Sequence, residues 1–229
     1  MKSFLRKILY KILTFLMDRE KLIFLLSDKT ERALLELKTN GYLNDVGWVN
    51  SIEKNAIIDN STNPLPWVTY PFIQFIETRL QPQFDLFEYG SGNSTLYYSK
   101  KVATVDSIEN DKFWYDKIHS TMPSNVNFFF CELIYGGDYC KYSQQTLKNY
   151  DVIVVDGRDR VNSCKQSIIT LKPGGVLILD DTERVAYREG IDFLLNNGFK
   201  KLDFWGIAPN ISYLKCTSIF YKPGNCLDI

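Results

Sequence analysis

The stretch Asp85-Leu86-Phe87-Glu88-Tyr89-Gly90-Ser91-Gly92-Asn93-Ser94-Thr95 constrains this chain more than any other. A short apolar strand runs into an acidic residue, then two glycines one residue apart, then a helix start. Glycine turns the backbone tightly and lets a ligand approach where a Cβ would otherwise stand. Asn93, Ser94 and Thr95 can cap the following helix, whose free N–H groups point back over the turn. Glu88, at the strand's end, is placed to accept hydrogen bonds from a cationic or hydroxyl-bearing group. This strand–turn–helix unit suits a nucleotide-like ligand.

From Asp85 onward the pattern alternates. Strands are predicted at 85–89, 102–109, 126–131, 151–156, 175–180, 201–206 and 213–221. Helices are predicted at 94–100, 111–119, 142–148, 162–171 and 183–196. Runs such as Val152-Ile153-Val154-Val155 suit strands buried on both faces. Alternation of this kind implies a parallel sheet with helices on both sides. The last two strands flank only a short connection around Pro209-Asn210, too short for a parallel crossover, so they form an antiparallel pair. The expected fold is α/β, a Rossmann-like and mostly parallel seven-stranded sheet with a terminal antiparallel strand, plus an N-terminal helical extension.

The glycine turn resembles the first motif of class I S-adenosylmethionine (SAM) methyltransferases, acidic-x-Gly-x-Gly-x-Gly, with Ser94 where the third glycine usually stands. The resemblance covers residues 80 to 222. Val105-Asp106-Ser107-Ile108-Glu109 reads as the second strand, and Glu109 lies 19 residues after Gly90. That is close to the offset of about 20 expected for a ribose-binding carboxylate. Phe128-Phe129-Phe130-Cys131-Glu132 reads as the third strand and its exit, Tyr150 to Gly157 as the fourth. Leu171-Lys172-Pro173-Gly174-Gly175 resembles the turn before the fifth. The resemblance implies a SAM site formed by Glu88, Gly90, Ser91, Gly92, Asn93, Ser94, Glu109, Asn110, Cys131, Glu132, Asp156 and Gly157. It divides the chain into residues 1–80, a helical extension with an aromatic-rich cap, and residues 81–229, the methyltransferase domain.

SAM carries an activated methyl, so such an enzyme mainly aligns an acceptor and excludes water. A hydroxyl acceptor also needs a base. Asp156, Asp180 and Asp181 end the fourth and fifth strands, and Asp159 follows nearby. The pattern is similar to that of metal-dependent O-methyltransferases of the catechol type and of some sugar O-methyltransferases. It implies Mg²⁺ on Asp156, Asp180 and Asp181, with Asp156, Asp159 and Asp181 as catalytic residues and Asp159 or Asp181 as the base. The competing reading is that the acids cap a helix and are neutralised by Arg158, Arg160 and Arg184 with no metal. Arg158 and Arg160 would alternatively bind an anionic acceptor. Trp67 and Tyr70, in the proline-rich loop 63–71, either line the pocket or anchor that loop.

Lys plus Arg equals Asp plus Glu, at 27 each, so bulk charge does not favour a nucleic-acid partner. Five cysteines without a Cys-x-x-Cys spacing argue against a disulfide framework and fit a reducing cytoplasm. One histidine cannot supply a histidine-based triad or a two-histidine metal site. Residues 2–26 carry Phe4, Leu5, Ile8, Leu9, Ile12, Leu13 and Leu16 at helical spacing, interleaved with Lys2, Arg6, Lys7 and Lys11. Two readings stay open. The helix packs on the domain or on a second subunit of a homodimer, or it lies on an anionic membrane surface at the inner face.

The activity expected is SAM-dependent O-methylation of a small-molecule or sugar- or glycan-related acceptor. The alternatives are a non-catalytic binding protein on the same fold and an NAD(P)-dependent oxidoreductase. The latter needs glycine where Thr95 stands and does not predict the terminal antiparallel pair.

Overall fold

The computed structural model describes residues 27–229. The amphipathic segment 1–26, with both of its readings, lies outside the described residues. Seven strands form one sheet: β1 (Asp85–Tyr89), β2 (Thr104–Glu109), β3 (Val126–Phe130), β4 (Tyr150–Val155), β5 (Leu171–Asp180), β6 (Lys200–Gly206) and β7 (Lys215–Tyr221). Their order is β3-β2-β1-β4-β5-β7-β6. The first five run parallel; β7 inserts antiparallel between β5 and β6. The order reverses between β1 and β4, which opens a crevice at their carboxyl ends.

Both faces of the sheet are covered, as the continuous apolar strands require. Helices α1 (Lys29–Thr39), α2 (Tyr42–Asp45), α3 (Trp48–Lys54) and α4 (Tyr70–Glu77) precede the sheet, and α5 (Asn93–Ser99) follows β1. On one face Phe72, Ile73 and Ile76 of α4 and Tyr97 and Tyr98 of α5 pack on Leu86, Val105, Val152, Val154 and Ile178. Each of the aliphatic side chains so buried stabilises the fold by about 1.5–3 kcal/mol. On the other face Phe87, Tyr89, Ile153, Val155, Leu177 and Leu179 meet three further helices. These are α7 (Asp138–Gln145), α8 (Arg160–Ser167) and α9 (Arg188–Asn196); α6 (Lys112–Ile118) follows β2. Alternate residues of one strand thus enter two different cores, the two-residue period of a pleated strand. α4 shares its core with β1, β2 and β4, so the boundary at 80/81 does not separate two cores.

Several element bounds differ from expectation: α8 ends at Ser167, not at 171, and α9 starts at Arg188, not at 183. α4 starts at Tyr70, with Pro71 in its first turn, where no N–H is needed. β5 starts at Leu171, pairs with Tyr150, and resumes register at Val176 after an irregularity that absorbs Gly174 and Gly175. α7 begins four residues early, at Asp138, directly after the Gly136-Gly137 turn. Among the described residues no helix is long and apolar enough to cross a membrane.

Candidate functional site

A cleft of about 750 Å³ opens over the carboxyl ends of β1, β2, β4 and β5. Its centre is a contact between two turns. Gly90 has φ +87°, and a Cβ there would stand 2.8 Å from the Gly157 Cα. A Cβ on Gly157 would stand 2.2 Å from the Tyr139 hydroxyl and 2.8 Å from the Gly90 nitrogen. The turn after β1 and the turn after β4 therefore touch backbone to backbone, and only glycine fits on either side. Asn93 Nδ2 donates to the Ile57 carbonyl at 2.7 Å, fastening the glycine turn to the preceding cap segment.

Glu88 lies beneath this turn, fully buried, and does not line the cleft. Its Oε2 accepts from Thr95 Oγ1 at 2.5 Å and Ser107 Oγ at 3.0 Å. Thr95 Oγ1 in turn accepts the Gly92 N–H, and Ser107 Oγ lies 2.6 Å from Ser91 Oγ. Oε1 is buried with no hydrogen-bond partner of good geometry among the described residues, although the Ser94 hydroxyl lies near enough to the carboxylate to oppose the effect of burial. Burial, chiefly, pushes the Glu88 carboxyl up to about 7. Glu88 thus braces the turn from below through two hydroxyls.

Glu109 does line the cleft, at the end of β2. Its Oε1 accepts from the N–H groups of Asn110 and Asp111 at 2.7 and 2.8 Å, and Oε2 from that of Ser91 at 3.2 Å. A carboxylate has about four acceptor sites. Glu109 therefore ties the β2 exit to the glycine turn and keeps capacity for about one more donor, such as a hydroxyl. Trp114 Nε1 donates to the Ser91 carbonyl at 2.9 Å, setting an indole beside the same turn.

At the other end of the cleft three acids meet three cations. Arg160 uses all five of its N–H donors. Nε binds the Gly157 carbonyl at 3.0 Å, Nη1 the Asp180 carbonyl at 2.7 Å and Asp181 Oδ2 at 3.2 Å. Nη2 binds the Asp156 carbonyl at 2.9 Å and Asp156 Oδ1 at 2.8 Å. Lys215, 3% exposed, reaches Asp180 Oδ2 at 2.6 Å and makes a close ionic contact of 2.8 Å with Asp181 Oδ1. Thr217 Oγ1 donates to Asp180 Oδ1 at 2.6 Å, and Arg184 Nη2 lies 2.9 Å from Asp181 Oδ2. Burial, and then the charge on Asp180, hold the Asp156 carboxyl well above the usual carboxylate range. Asp180 is also raised, by burial. Burial acts the same way on Asp181, but Lys215, Arg160 and Arg184 outweigh it and the carboxyl is lowered.

This arrangement corrects several expectations. Both oxygens of Asp180 and Asp181 and one of Asp156 already face cations or hydroxyls. The trio therefore does not fit Mg²⁺, and among the described residues no cluster of acids, cysteines and histidine could hold a metal. The cations that occupy it are Arg160, Arg184 and Lys215, not Arg158. Asp159 is buried away from the cleft. Its carboxylate accepts from the Gly136 N–H and Asn162 Nδ2, both at 2.7 Å, so it clamps two loops and is not free to act as a base. Arg160 has no donor left for an acceptor. Tyr70 is buried in the core beneath the cap. Cys131 and Glu132 do not line the cleft; Cys131 packs on the second core, its N–H on the Glu109 carbonyl. Trp67, Gly90, Ser91, Gly92, Asn93, Ser94, Asn110, Asp156, Gly157 and Arg158 all line it.

Sequence reasoning missed Lys215 and Trp114. Lys215 opens β7, and its role depends on β7 pairing with β5, where Thr217 stands opposite Asp180. For Trp114 the available signal is the capping Asp111 three residues earlier, which fixes the helix bearing it.

No protein-family model matches the chain, and a search of curated proteins finds no match. Solved structures do resemble it. Precorrin-6y C5,15-methyltransferase from Geobacter metallireducens GS-15 aligns with a TM-score of 0.53 at 13% identity, over 73% of this chain and 97% of its own. A methyltransferase-like protein from Silicibacter pomeroyi DSS-3 aligns with a TM-score of 0.50 at 16% identity, over 71% and 91%. With its strand order, its reversed β7 and these likenesses, the chain carries the Rossmann-like fold of class I SAM-dependent methyltransferases.

Proposed function

We propose that the protein is a SAM-dependent methyltransferase that methylates an oxygen of a small-molecule or sugar-related acceptor. The observation that carries this reading is the Ser91–Glu109 hydrogen bond, which joins the glycine turn to the acid at the end of β2 within one cleft. A cleft of about 750 Å³ is within the usual range for ligand pockets and has room for a nucleoside donor with a small acceptor beside it. The residues present fit SAM. The Gly90–Gly92 turn leaves space over its backbone, with nothing nearer than 3.8 Å to a Cβ on Gly92. Glu109 retains capacity for a ribose hydroxyl, and Trp114 offers a planar neighbour.

When bound, the donor supplies a sulfonium-activated methyl. The chain's own residues do the rest. Asp156 lines the cleft with Oδ1 held by Arg160 and Oδ2 unengaged. Burial raises its proton affinity, and of the trio it keeps a free oxygen at the cleft, the position required of a base that accepts a hydroxyl proton. Arg160 holds the ends of β4 and β5 in place, so Asp156 needs little reorganisation at the moment of transfer.

Calorimetry with SAM, S-adenosylhomocysteine and NAD tests the reading. Binding of the first two and not of NAD is expected. Preference for NAD, or binding of none, overturns it.

A further inference from the structure

The acceptor end of the cleft holds four cations, and one of them is unspent. Arg160, Arg184 and Lys215 each contact carboxylates of the Asp156, Asp180 and Asp181 trio. Arg184 also lies 3.7 Å from Glu183, whose other oxygen accepts the Cys216 N–H. Arg158 is exposed, lines the cleft, and has no carboxylate within ion-pair distance among the described residues. Among the described residues only its backbone is engaged, the N–H donating to the Tyr139 hydroxyl at 3.4 Å. A guanidinium left over after three acids have been matched by three cations is a receptor for an anion.

The cleft also has an aromatic lining. Trp67 Nε1 donates to the Pro209 carbonyl at 2.8 Å and Trp48 Nε1 to the Ile211 carbonyl at 2.8 Å. Two indoles thus clamp the β6–β7 loop to the cap. Trp67 nevertheless keeps 50% of its surface exposed and Tyr213, on that loop, 57%, and both line the cleft. A half-exposed indole whose N–H is already bonded presents its ring rather than its polar edge. Such a surface takes the flat face of a sugar or aryl ring.

We infer that the acceptor is a ring compound bearing an acidic group, the ring lying on Trp67 and Tyr213 and the carboxylate or phosphate held by Arg158. This rests on the methyl-transfer reading and narrows its substrate class.

The full chain is titrated by ligand-observed NMR with 4-nitrophenyl β-D-glucuronide, glucose 6-phosphate and neutral 4-nitrophenyl β-D-glucoside. Each titration is run with and without saturating S-adenosylhomocysteine. At least one acidic probe is expected to bind about tenfold tighter than the neutral glycoside, the contribution of one charge-assisted hydrogen-bonded pair. The glucuronide and phosphate arms show which acid is preferred. Arg158→Ala should bring the preferred probe down to the neutral level, Arg158→Lys should restore part of it, and 0.5 M NaCl should weaken it in the wild type. Trp67→Ala should weaken both nitrophenyl glycosides together.

Equal binding of acidic and neutral probes, no binding of any probe, or an acidic preference that survives Arg158→Ala overturns the inference. Unchanged unfolding midpoints in both Arg158 variants, whose side chain makes no ion pair, confirm that the fold is intact. Failure of S-adenosylhomocysteine to bind counts against the methyl-transfer reading alone, because the probe selectivity is also read without it.

Discussion

Lys215 Nζ lies 2.6 Å from Asp180 Oδ2 in the seam where antiparallel β7 meets parallel β5. Both side chains are almost wholly excluded from solvent. The reversed strand therefore does more than extend the sheet: it delivers the cation that faces both Asp180, the last residue of β5, and Asp181, which follows it, inside the fold. Removing one partner of a buried pair leaves an uncompensated charge, which costs about 3–5 kcal/mol. Lys215→Met is expected to lose about 3 kcal/mol in urea unfolding at pH 7, since Arg160 and Thr217 still support Asp180. The lost cation raises the proton affinity of Asp180 further in the folded state, so the deficit should shrink as pH falls toward 5. Adding Asp180→Asn should recover much of the loss at pH 7. A deficit below 1 kcal/mol, or one independent of pH, would show that the pair is not coupled.

The Gly90–Gly157 contact leaves no room for a methyl group. Gly157→Ala places a carbon 2.2 Å from the Tyr139 hydroxyl and 2.8 Å from the Gly90 nitrogen. Overpacking of this kind costs about 1–3 kcal/mol and shifts the backbone. The variant should lose about 2 kcal/mol and bind S-adenosylhomocysteine at least tenfold more weakly by calorimetry. Tyr139→Phe in the same chain removes the nearest obstacle but not the Gly90 backbone, so only part of the loss should return. Wild-type stability and affinity in Gly157→Ala alone would mean that the two turns are not packed as described.

Much of the fold was legible because its signals are local. The apolar runs of β1, β4 and β5 announce strands buried on both faces, and the glycine pair at 90 and 92 marks the first turn. Glu109 was reachable by counting residues from that turn. What could not be read depends on long-range pairing. Lys215 meets Asp180 only because β7 inserts beside β5, a contact 35 residues apart in sequence. Trp67 was within reach as an aromatic of the loop, but its bond to Pro209, 142 residues away, was not. Asp159 misled for a different reason. It follows the fourth strand as a catalytic acid would, but its backbone has φ +48°, a conformation Asp tolerates better than most, and that turns its carboxylate to Gly136 and Asn162. Tyr70 and Trp67 lie three residues apart in the same aromatic segment; α4 starts at Tyr70, burying it in the core and leaving Trp67 at the cleft.

Glu88 should impose a pH dependence on stability. Its folded carboxyl titrates at about 7 against 4.5 for the free group. Below pH 4.5 both folded and unfolded chains carry the proton, and nothing is lost. Between 4.5 and 7 the unfolded chain releases it while the folded chain retains it, so stability falls as pH rises. Above 7 the penalty is complete, on the order of 3 kcal/mol. Gln does not titrate. The difference in unfolding free energy between Glu88→Gln and the wild type should therefore move in favour of the variant by about 3 kcal/mol from pH 4.5 to pH 8. The absolute gain at pH 8 is smaller, because the new amide N–H occupies the place of the unpartnered Oε1. Parallel stability profiles for the two proteins would refute the assignment.

Glu109 has two jobs, and they can be separated. It supports three backbone N–H groups and, in the proposed reading, one ribose hydroxyl. Glu109→Ala should weaken S-adenosylhomocysteine binding about a hundredfold and also lower stability by about 1 kcal/mol, since three part-buried donors lose their acceptor. The second effect could by itself account for the first by loosening the turn. A thermodynamic cycle distinguishes them: wild type and Glu109→Ala are each titrated with S-adenosylhomocysteine and with its 2′-deoxy analogue. If the carboxylate grips the hydroxyl, the analogue binds the wild type about tenfold more weakly than the parent does, while the variant hardly discriminates between the two. If Glu109 only braces the turn, the variant discriminates as strongly as the wild type, and the ribose assignment fails while the structural role stands.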